Sequence, residues 1–367
     1  MMEKNEILTV YGKDIEAMAV KLAEEADLAS LIGDRNKKIG LKPNLVVARP
    51  AAQGATTHPE IAFGLIAYLK KNGFNNMVIL EGAWIGASTI NAFSVCGYKK
   101  LADAAGVKLI DTKSDKTRLC DCKGMQIEIC ESALSLDFMI NLPVMKGHCQ
   151  TRITCALKNN KGIIPDSEKQ RFHTLGLTKP IAHLNTVVRN DFIVVDGICG
   201  DPDFEEGGNP LFSGRLFAAR DPVLCDAWIA VQMGYAVSDI PYIGLAEKLG
   251  AGSADISKAK VRELNKAASQ ANEMFKASAP TGKVGQLAAF INENNSCSAC
   301  YASLIFALYH LDRKKLGRLS DKVCVGQGFL RKKGNLGIGK CCADFKLSCH
   351  GCPPSGAEIL EFLHSIF

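Results

Sequence analysis

Between Cys297 and Pro354 the cysteines fall into tight groups set among glycine and proline. They read Cys297-Ser298-Ala299-Cys300, then Gly334-Asn335-Leu336-Gly337-Ile338-Gly339-Lys340-Cys341-Cys342, and last Cys349-His350-Gly351-Cys352-Pro353-Pro354. Thiolates grouped in this way are suited to converge on one inorganic centre, and glycines let the backbone turn and approach it closely. The segment must therefore fold back on itself, which requires a small module rather than a long helix or an open strand.

Three chemistries compete for these thiols. The chain holds 15 cysteines in 367 residues, but a chain of this size needs no disulfide staples, and its charged start, Met1 to Glu6, carries no apolar secretory segment. Zinc could use Cys297, Cys300, Cys349 and Cys352 as a CxxC...CxxC set. Yet 48 residues separate Cys300 from Cys349, beyond the spacer of a zinc ribbon, and Cys341 and Cys342 are then unexplained. A [4Fe-4S] cluster accepts scattered ligands, and a set that ends in Cys-Pro resembles the ferredoxin arrangement. The expected ligands are Cys297, Cys300, Cys341 and Cys352, with Cys342 and Cys349 as substitutes and zinc as the alternative metal.

Upstream, helix-like and strand-like segments alternate. Ile15 to Leu31 is apolar at helical intervals, Lys38 to Val47 reads as a strand interrupted by Lys42-Pro43-Asn44, and Pro59 to Lys71 is an amphipathic helix. Met77 to Leu80 is a buried strand, Ala92 to Ala105 a helix, and Val107 to Asp111, Asp137 to Leu142 and Phe192 to Asp196 are short apolar runs. Such alternation predicts an α/β fold, a mainly parallel sheet with helices on both faces. A small cysteine-rich α+β module follows. The hydrophobic content of 47% is enough for a substantial core. An α/β ligand-binding domain is expected over 1–279 and the cluster module over 280–367, with the polar stretch Lys266 to Ala279 and Pro280-Thr281-Gly282 as linker. In the module, Ala302 to Leu311 and Ala357 to Ile366 read as helices and Val323 to Val325 as a strand.

Open parallel sheets bind ligands beyond the carboxyl ends of their strands. Lys42 and Asn44, Glu81 and Gly82, Lys146-Gly147-His148, and Asp196-Gly197 all stand at such ends. Glu81 by itself reads as a solvated loop residue. A helix over Thr151 to Asn160 would align Thr151, Thr154, Lys158 and Lys161 on one face, able to hold phosphate or carboxylate, although a solvated lysine face has the same pattern. The expected ligand-binding residues are Lys42, Asn44, Lys146, Thr154, Lys158, Asn159, Lys161 and Asp196, with His148 as the candidate catalytic residue. His58, His173 and His183 could join it. Cys149 and Cys155 read as small buried residues. The acidic run Asp201, Asp203, Glu205 and Glu206 lacks the order of a calcium loop and reads as a flexible acidic loop. Asp221-Pro222 predicts a helix start, with Asp226 on that helix. Neither Glu81 to Ser88, which lacks the lysine of a P-loop, nor Gly326-Gln327-Gly328 completes a nucleotide-binding fingerprint.

Together, Lys42-Pro43-Asn44, Lys146-Gly147-His148 with Thr154, Lys158-Asn159-Asn160-Lys161-Gly162, Asp196-Gly197-Ile198, and Asp221-Pro222-Val223 with Asp226 resemble domain-of-unknown-function family 362 over roughly Lys38 to Gly252. The resemblance implies a redox-associated role, and members often carry iron–sulfur cysteines like those of the tail. The loop after Asp196-Gly197 departs from the family in being acidic rather than more glycine-rich.

The formal charge of +6 is spread along the chain apart from Arg331, Lys332 and Lys333, which argues against a nucleic-acid binder. No apolar run approaches bilayer length, so a cytoplasmic protein is expected. The leading expectation is an iron–sulfur protein, an oxidoreductase if it is an enzyme, passing electrons between an external carrier protein and a small polar or anionic ligand. The alternatives are a non-enzymatic metal- or cluster-binding module that docks a partner through Arg331 to Lys333, and a zinc-stabilised enzyme.

Overall fold

A computed structural model of the chain describes residues 1–148, 150–202, 204–208, 210–265 and 283–367. The expected linker Lys266 to Gly282, Cys149 and Asp203 lie outside the described residues. Contacts divide the chain into two compact units, Met1–Lys169 with Leu177–Lys276, and Gln170–Gly176 with Ala277–Phe367.

In the first unit the strands are β1 (Glu6–Tyr11), β2 (Ile39–Pro43), β3 (Met77–Glu81), β4 (Lys108–Asp111), β5 (Thr117–Asp121) and β6 (Gln126–Cys130). There follow β7 (Phe138–Leu142), β8 (Lys146–His148), β9 (Arg152–Thr154), β10 (Phe192–Gly200), β11 (Leu211–Ala219) and β12 (Lys260–Glu263). Eight of them form one sheet in the order β12-β1-β11-β10-β7-β2-β3-β4. Among these, β11 runs against its neighbours β1 and β10, and the remaining pairs are parallel. β5 with β6, and β8 with β9, make two separate hairpins.

The parallel strands β2, β3, β7 and β10 are buried along their whole length, as expected of a sheet covered on both faces. Side chains alternate across it. Leu41, Ile79, Ile140 and Val194 join one core with Leu22 and Leu65 of the helices Ile15–Glu25 and Pro59–Lys71. Leu80, Met139, Ile193 and Val195 are buried too and point to the other face, where the helix Pro222–Gln232 packs on β11 and on the short helix Ala156–Asn159. Asp221 caps Pro222–Gln232 through the N–H groups of Val223 and Leu224, at 2.8 and 3.0 Å.

Strand order reverses at β2. From there β3 and β4 extend the sheet one way, while β7 lies on the other side. This is a topological switch point, where the loops leaving adjacent strands part and open a crevice. Register places Lys42 of β2 directly beside Asn141 of β7.

Three expected helices differ from the structure. Ile15 to Leu31 breaks after Glu25, because Asp27 takes a left-handed φ of 54° before the helix Leu28–Ile32. Ala92 to Ala105 breaks at Gly97, φ 81°, into Thr89–Val95 and Tyr98–Ala105. Thr151 to Asn160 is mostly not helical: Thr151, Ile153 and Thr154 are β-branched, Arg152 has φ 64°, and the chain forms the β8–β9 hairpin before a helix confined to Ala156–Asn159.

The second unit carries a parallel sheet of three-residue strands, β13 (Ile291–Glu293), β14 (Val323–Val325), β15 (Leu336–Ile338) and β16 (Leu347–Cys349), in that order. The helix Ser298–His310 follows β13 and packs on the closing helix Gly356–Ser365. Apolar Leu304, Ile305, Leu308, Val323, Val325, Ile338, Ile359 and Leu363 fill this small core.

Candidate functional site

At the switch point a polar cluster is sealed inside the protein. Lys42, fully buried, donates to Glu81 at 2.6 Å and to Asn159 Oδ1 at 3.2 Å. Burial pushes the Lys42 ammonium down from its ordinary range, and Glu81 opposes that shift. Asn159 also accepts from Asn44 Nδ2 at 2.7 Å and donates to Asn141 Oδ1 at 2.7 Å. Asn44 Oδ1 is buried and has no hydrogen-bond partner among the described residues, an acceptor left over in an otherwise satisfied network.

Beside it, the β8–β9 hairpin and the helix Ala156–Asn159 present a second cluster. Lys158 Nζ lies 2.5 Å from Glu205 Oε1 and 3.2 Å from Thr154 Oγ1, and His148 Nε2 lies 3.0 Å from Glu205 Oε2. Lys146 Nζ donates to the carbonyl oxygens of Ala55 and Glu205, at 2.5 and 2.6 Å. His148 Nδ1 accepts from the backbone N–H groups of Gln150 and Thr151, both at 3.1 Å. The proton of its neutral ring is therefore on Nε2 and faces Glu205. Burial, with Lys158 nearby, lowers the His148 pKa to about 4, so the imidazole is neutral at physiological pH. Burial likewise lowers Lys146 to about 7 although Glu205 opposes it. Burial alone would raise Glu205, but Lys158 and His148 outweigh it and hold the carboxyl well below its usual range.

Asp196 and Lys161 complete the predicted set. Both oxygens of buried Asp196 are engaged, Oδ2 by the His58 backbone N–H and ring Nδ1 at 2.8 Å each, and Oδ1 by the Ile198 N–H at 3.0 Å. Burial works against a charge on His58, but Asp196 more than compensates and raises it to about 11. Lys161, half-buried in the turn Asn160–Ile163, is near enough to His148 to disfavour its protonation. His183 is a structural histidine bonded to the Cys122 carbonyl at 2.7 Å.

In the second unit, the loops leaving the parallel strands carry the thiols. Ile338 of β15 pairs with Cys349 of β16, and the third residue beyond each is Cys341 and Cys352 respectively. Two expected ligands thus leave neighbouring strands at the same step. Cys297 begins the helix Ser298–His310, which carries Cys300 in its first turn. Burial raises the pKa of the Cys300 thiol, and Cys297, Cys352 and Cys341 raise it further in that order. Burial also raises Cys341, followed by Cys297 and Cys352. These four thiols share one electrostatic neighbourhood. Cys342 borders this neighbourhood, raising Cys300 more weakly than the other three and itself raised by burial and then by Cys341. Its own thiol, however, faces the Cys324 carbonyl at 3.5 Å, and the strongest charged neighbour of Cys349 is Glu358. From the loop after β14, Gln327 Nε2 donates to Cys297 Sγ at 3.4 Å.

Residues 39–231 match the family described as domain of unknown function (DUF362). The chain belongs to the DUF362 family. The DUF362 segment contains both clusters at the switch point and ends before the four thiols. The thylakoid-associated protein sll1697 of Synechocystis is 23% identical over 229 residues, covering 59% of this chain and 68% of that protein. Among solved structures, the lactate racemase apoprotein from Thermoanaerobacterium thermosaccharolyticum is 15% identical with a TM-score of 0.36. That comparison covers 58% of this chain and 54% of the racemase, about half its length.

Several residues of the DUF362 segment differ from their sequence reading. Glu81 is no solvated loop residue, being 3% exposed and ion-paired to Lys42. The acidic loop is partly internal, since Asp201 is fully buried and Glu205 sits among cations. Lys158 belongs to no solvated face, being 4% exposed. Asn141, Cys225 and Tyr242 carry no local signal. Cys155, Cys225 and Asp226 bring three ligand-type atoms within 4.8 Å of one another, all buried. Here Asp226 accepts from Leu157 N–H and from the Tyr242 hydroxyl, and Cys155 Sγ lies 4.0 Å from Cys225 Sγ.

Proposed function

We propose that this DUF362 protein is an iron–sulfur redox protein whose α/β unit binds a small anionic ligand. Cys297, Cys300, Cys341 and Cys352 would hold a [4Fe-4S] cluster, which supplies one-electron transfer when bound. The observation that carries the reading is the convergence of these four thiols from three loops at one end of a parallel sheet, two of them in the same register. Their spacing favours a cluster over a single ion. In sequence, 48 residues separate Cys300 from Cys349, a longer spacer than a zinc ribbon uses, whereas a cluster accepts ligands scattered in this way.

The anionic ligand is supported by three buried nitrogen bases, Lys146, Lys158 and His148, gathered around Glu205. Lys158 and Thr154 bind and orient. His148 donates Nε2–H and, with Nδ1 occupied by backbone N–H groups, is held as a neutral donor. Lys146, with a pKa of about 7, is the group able to gain or release a proton near neutrality. As a neutral amine it keeps two N–H donors, matched by the carbonyls of Ala55 and Glu205. The exposed turn Arg331, Lys332 and Lys333 is the proposed docking point for an acidic electron carrier.

Among the described residues no helix is long and apolar enough to cross a membrane. Anaerobic purification followed by visible and electron paramagnetic resonance spectroscopy tests the cluster. We expect a broad absorption that bleaches on reduction, lost in Cys→Ser variants at 297, 300, 341 and 352 and kept in Cys342→Ser and Cys349→Ser. A colourless protein with stoichiometric zinc would reject the proposal.

A further inference from the structure

Glu205 occupies its pocket in the manner of a bound molecule. One carboxylate oxygen meets an ammonium and the other an imidazole N–H, at 2.5 and 3.0 Å. The hosts Thr154, Lys158 and His148 belong to the β8–β9 hairpin and the helix Ala156–Asn159 that follows it and are 1, 4 and 3% exposed. The guest comes from the separate segment 204–208, and its side chain, 10% exposed, lies nearer the surface than the side chains that hold it. Stability does not account for this arrangement. Burying ammonium groups to pin a surface loop costs desolvation that the ion pair barely returns, and an apolar residue at 205 would pin the loop at lower cost.

We infer that the pocket receives the carboxylate of a small organic acid and that Glu205 is its resident surrogate, displaced when that acid binds. Lys158 Nζ and His148 Nε2 then pass from Glu205 to the incoming carboxylate, with Thr154 steadying Lys158. A planar two-oxygen group satisfies this two-sided clamp, whereas a tetrahedral phosphate would bring a third oxygen and a second charge. The inference rests on the anionic-ligand reading above and names its chemistry.

The test uses the full chain with Glu205→Ala, which vacates a carboxylate-sized space between Lys158 and His148. Sodium acetate and sodium phosphate are titrated separately at constant ionic strength, following the thermal midpoint and the histidine ring resonances. Acetate is expected to bind the variant saturably and at least tenfold more tightly than the wild type, raising its midpoint. Equal acetate affinity in variant and wild type would overturn the inference. Saturation by phosphate without acetate would overturn the carboxylate assignment and leave the anionic-ligand reading standing; binding of neither would remove both. Should Glu205→Ala not fold, the wild type is digested with a glutamate-specific protease. Acetate is then expected to increase cleavage after Glu205 and Glu206 several-fold, and unchanged cleavage would count against displacement.

Discussion

At the scale of single residues, the Lys42–Glu81 pair is the feature on which the switch point most depends. Both partners are buried and meet at 2.6 Å, so removing one leaves the other charge buried without its counter-charge. Glu81→Ala should therefore destabilise the first unit by about 3–5 kcal/mol, and Lys42→Met combined with Glu81→Leu should recover most of that loss. Trp84 and Trp228 are the two tryptophans of the chain and both lie in the first unit, so urea denaturation followed by tryptophan fluorescence reads that unit alone. A loss below about 1 kcal/mol, the size expected of an exposed pair, would show that Glu81 is not buried as described. Packing around the pair is close enough to dictate a glycine: a Cβ on Gly162 would stand 1.9 Å from Glu81 Oε1 and 2.7 Å from Lys42 Nζ. Lys42 was legible in the sequence because a lysine ending an apolar strand is conspicuous. Glu81 stands at an equivalent place yet was not, because its burial depends on a partner 39 residues away.

At the scale of elements, the helix Ala156–Asn159 positions Lys158 and Asn159, and Asp226 holds its start through the Leu157 N–H at 3.3 Å. Burial raises the Asp226 carboxyl to about 7 although these donors oppose it. The folded protein thus binds this proton more tightly than the unfolded chain. Its contribution is complete below the unfolded pKa of about 3.9 and is lost as pH rises through about 7. Asp226→Asn should flatten that decline between pH 4 and 7, roughly the span of the shift, measured as urea midpoints across the range; a slope equal to the wild type's would exclude Asp226 as its source. The same element shows where periodicity misled. Thr151, Thr154, Lys158 and Lys161 fit one helical stripe in sequence, but a stripe is also produced by a hairpin running into a single helical turn. What decides between them here is His148, whose ring accepts the Gln150 and Thr151 N–H groups at 3.1 Å and turns the chain before a helix can start. The acidic loop was equally opaque, since glycine and acid resemble a solvated loop unless Lys158 is known to face it. The mainly parallel sheet was legible, because the fully buried strands β2, β3 and β7, set between helices, leave few alternatives. The antiparallel β11 was not.

At the scale of the whole molecule, the two units differ in what can hold them together. The first has an eight-stranded sheet with two covered faces and a core large enough to be stable without help. The second relies on strands of three residues each, too short to supply much cooperative pairing, and on one modest apolar layer. Small modules of this kind usually draw part of their folding energy from a metal or a covalent link. If the four thiols hold a cluster, its removal should fall on the second unit. Hydrogen exchange followed by mass spectrometry, on anaerobic protein before and after iron is chelated, should show protection lost over 291–293, 323–325, 336–338 and 347–349. Over 39–43, 138–142 and 192–200 it should remain. The expected loss is at least tenfold in exchange rate, equivalent to about 1.4 kcal/mol or more of local stability at 25 °C. Unchanged protection in the small sheet would mean that its apolar layer suffices and that the thiols do not hold the module together. Loss of protection over both sheets would mean instead that the chain unfolds as one cooperative unit.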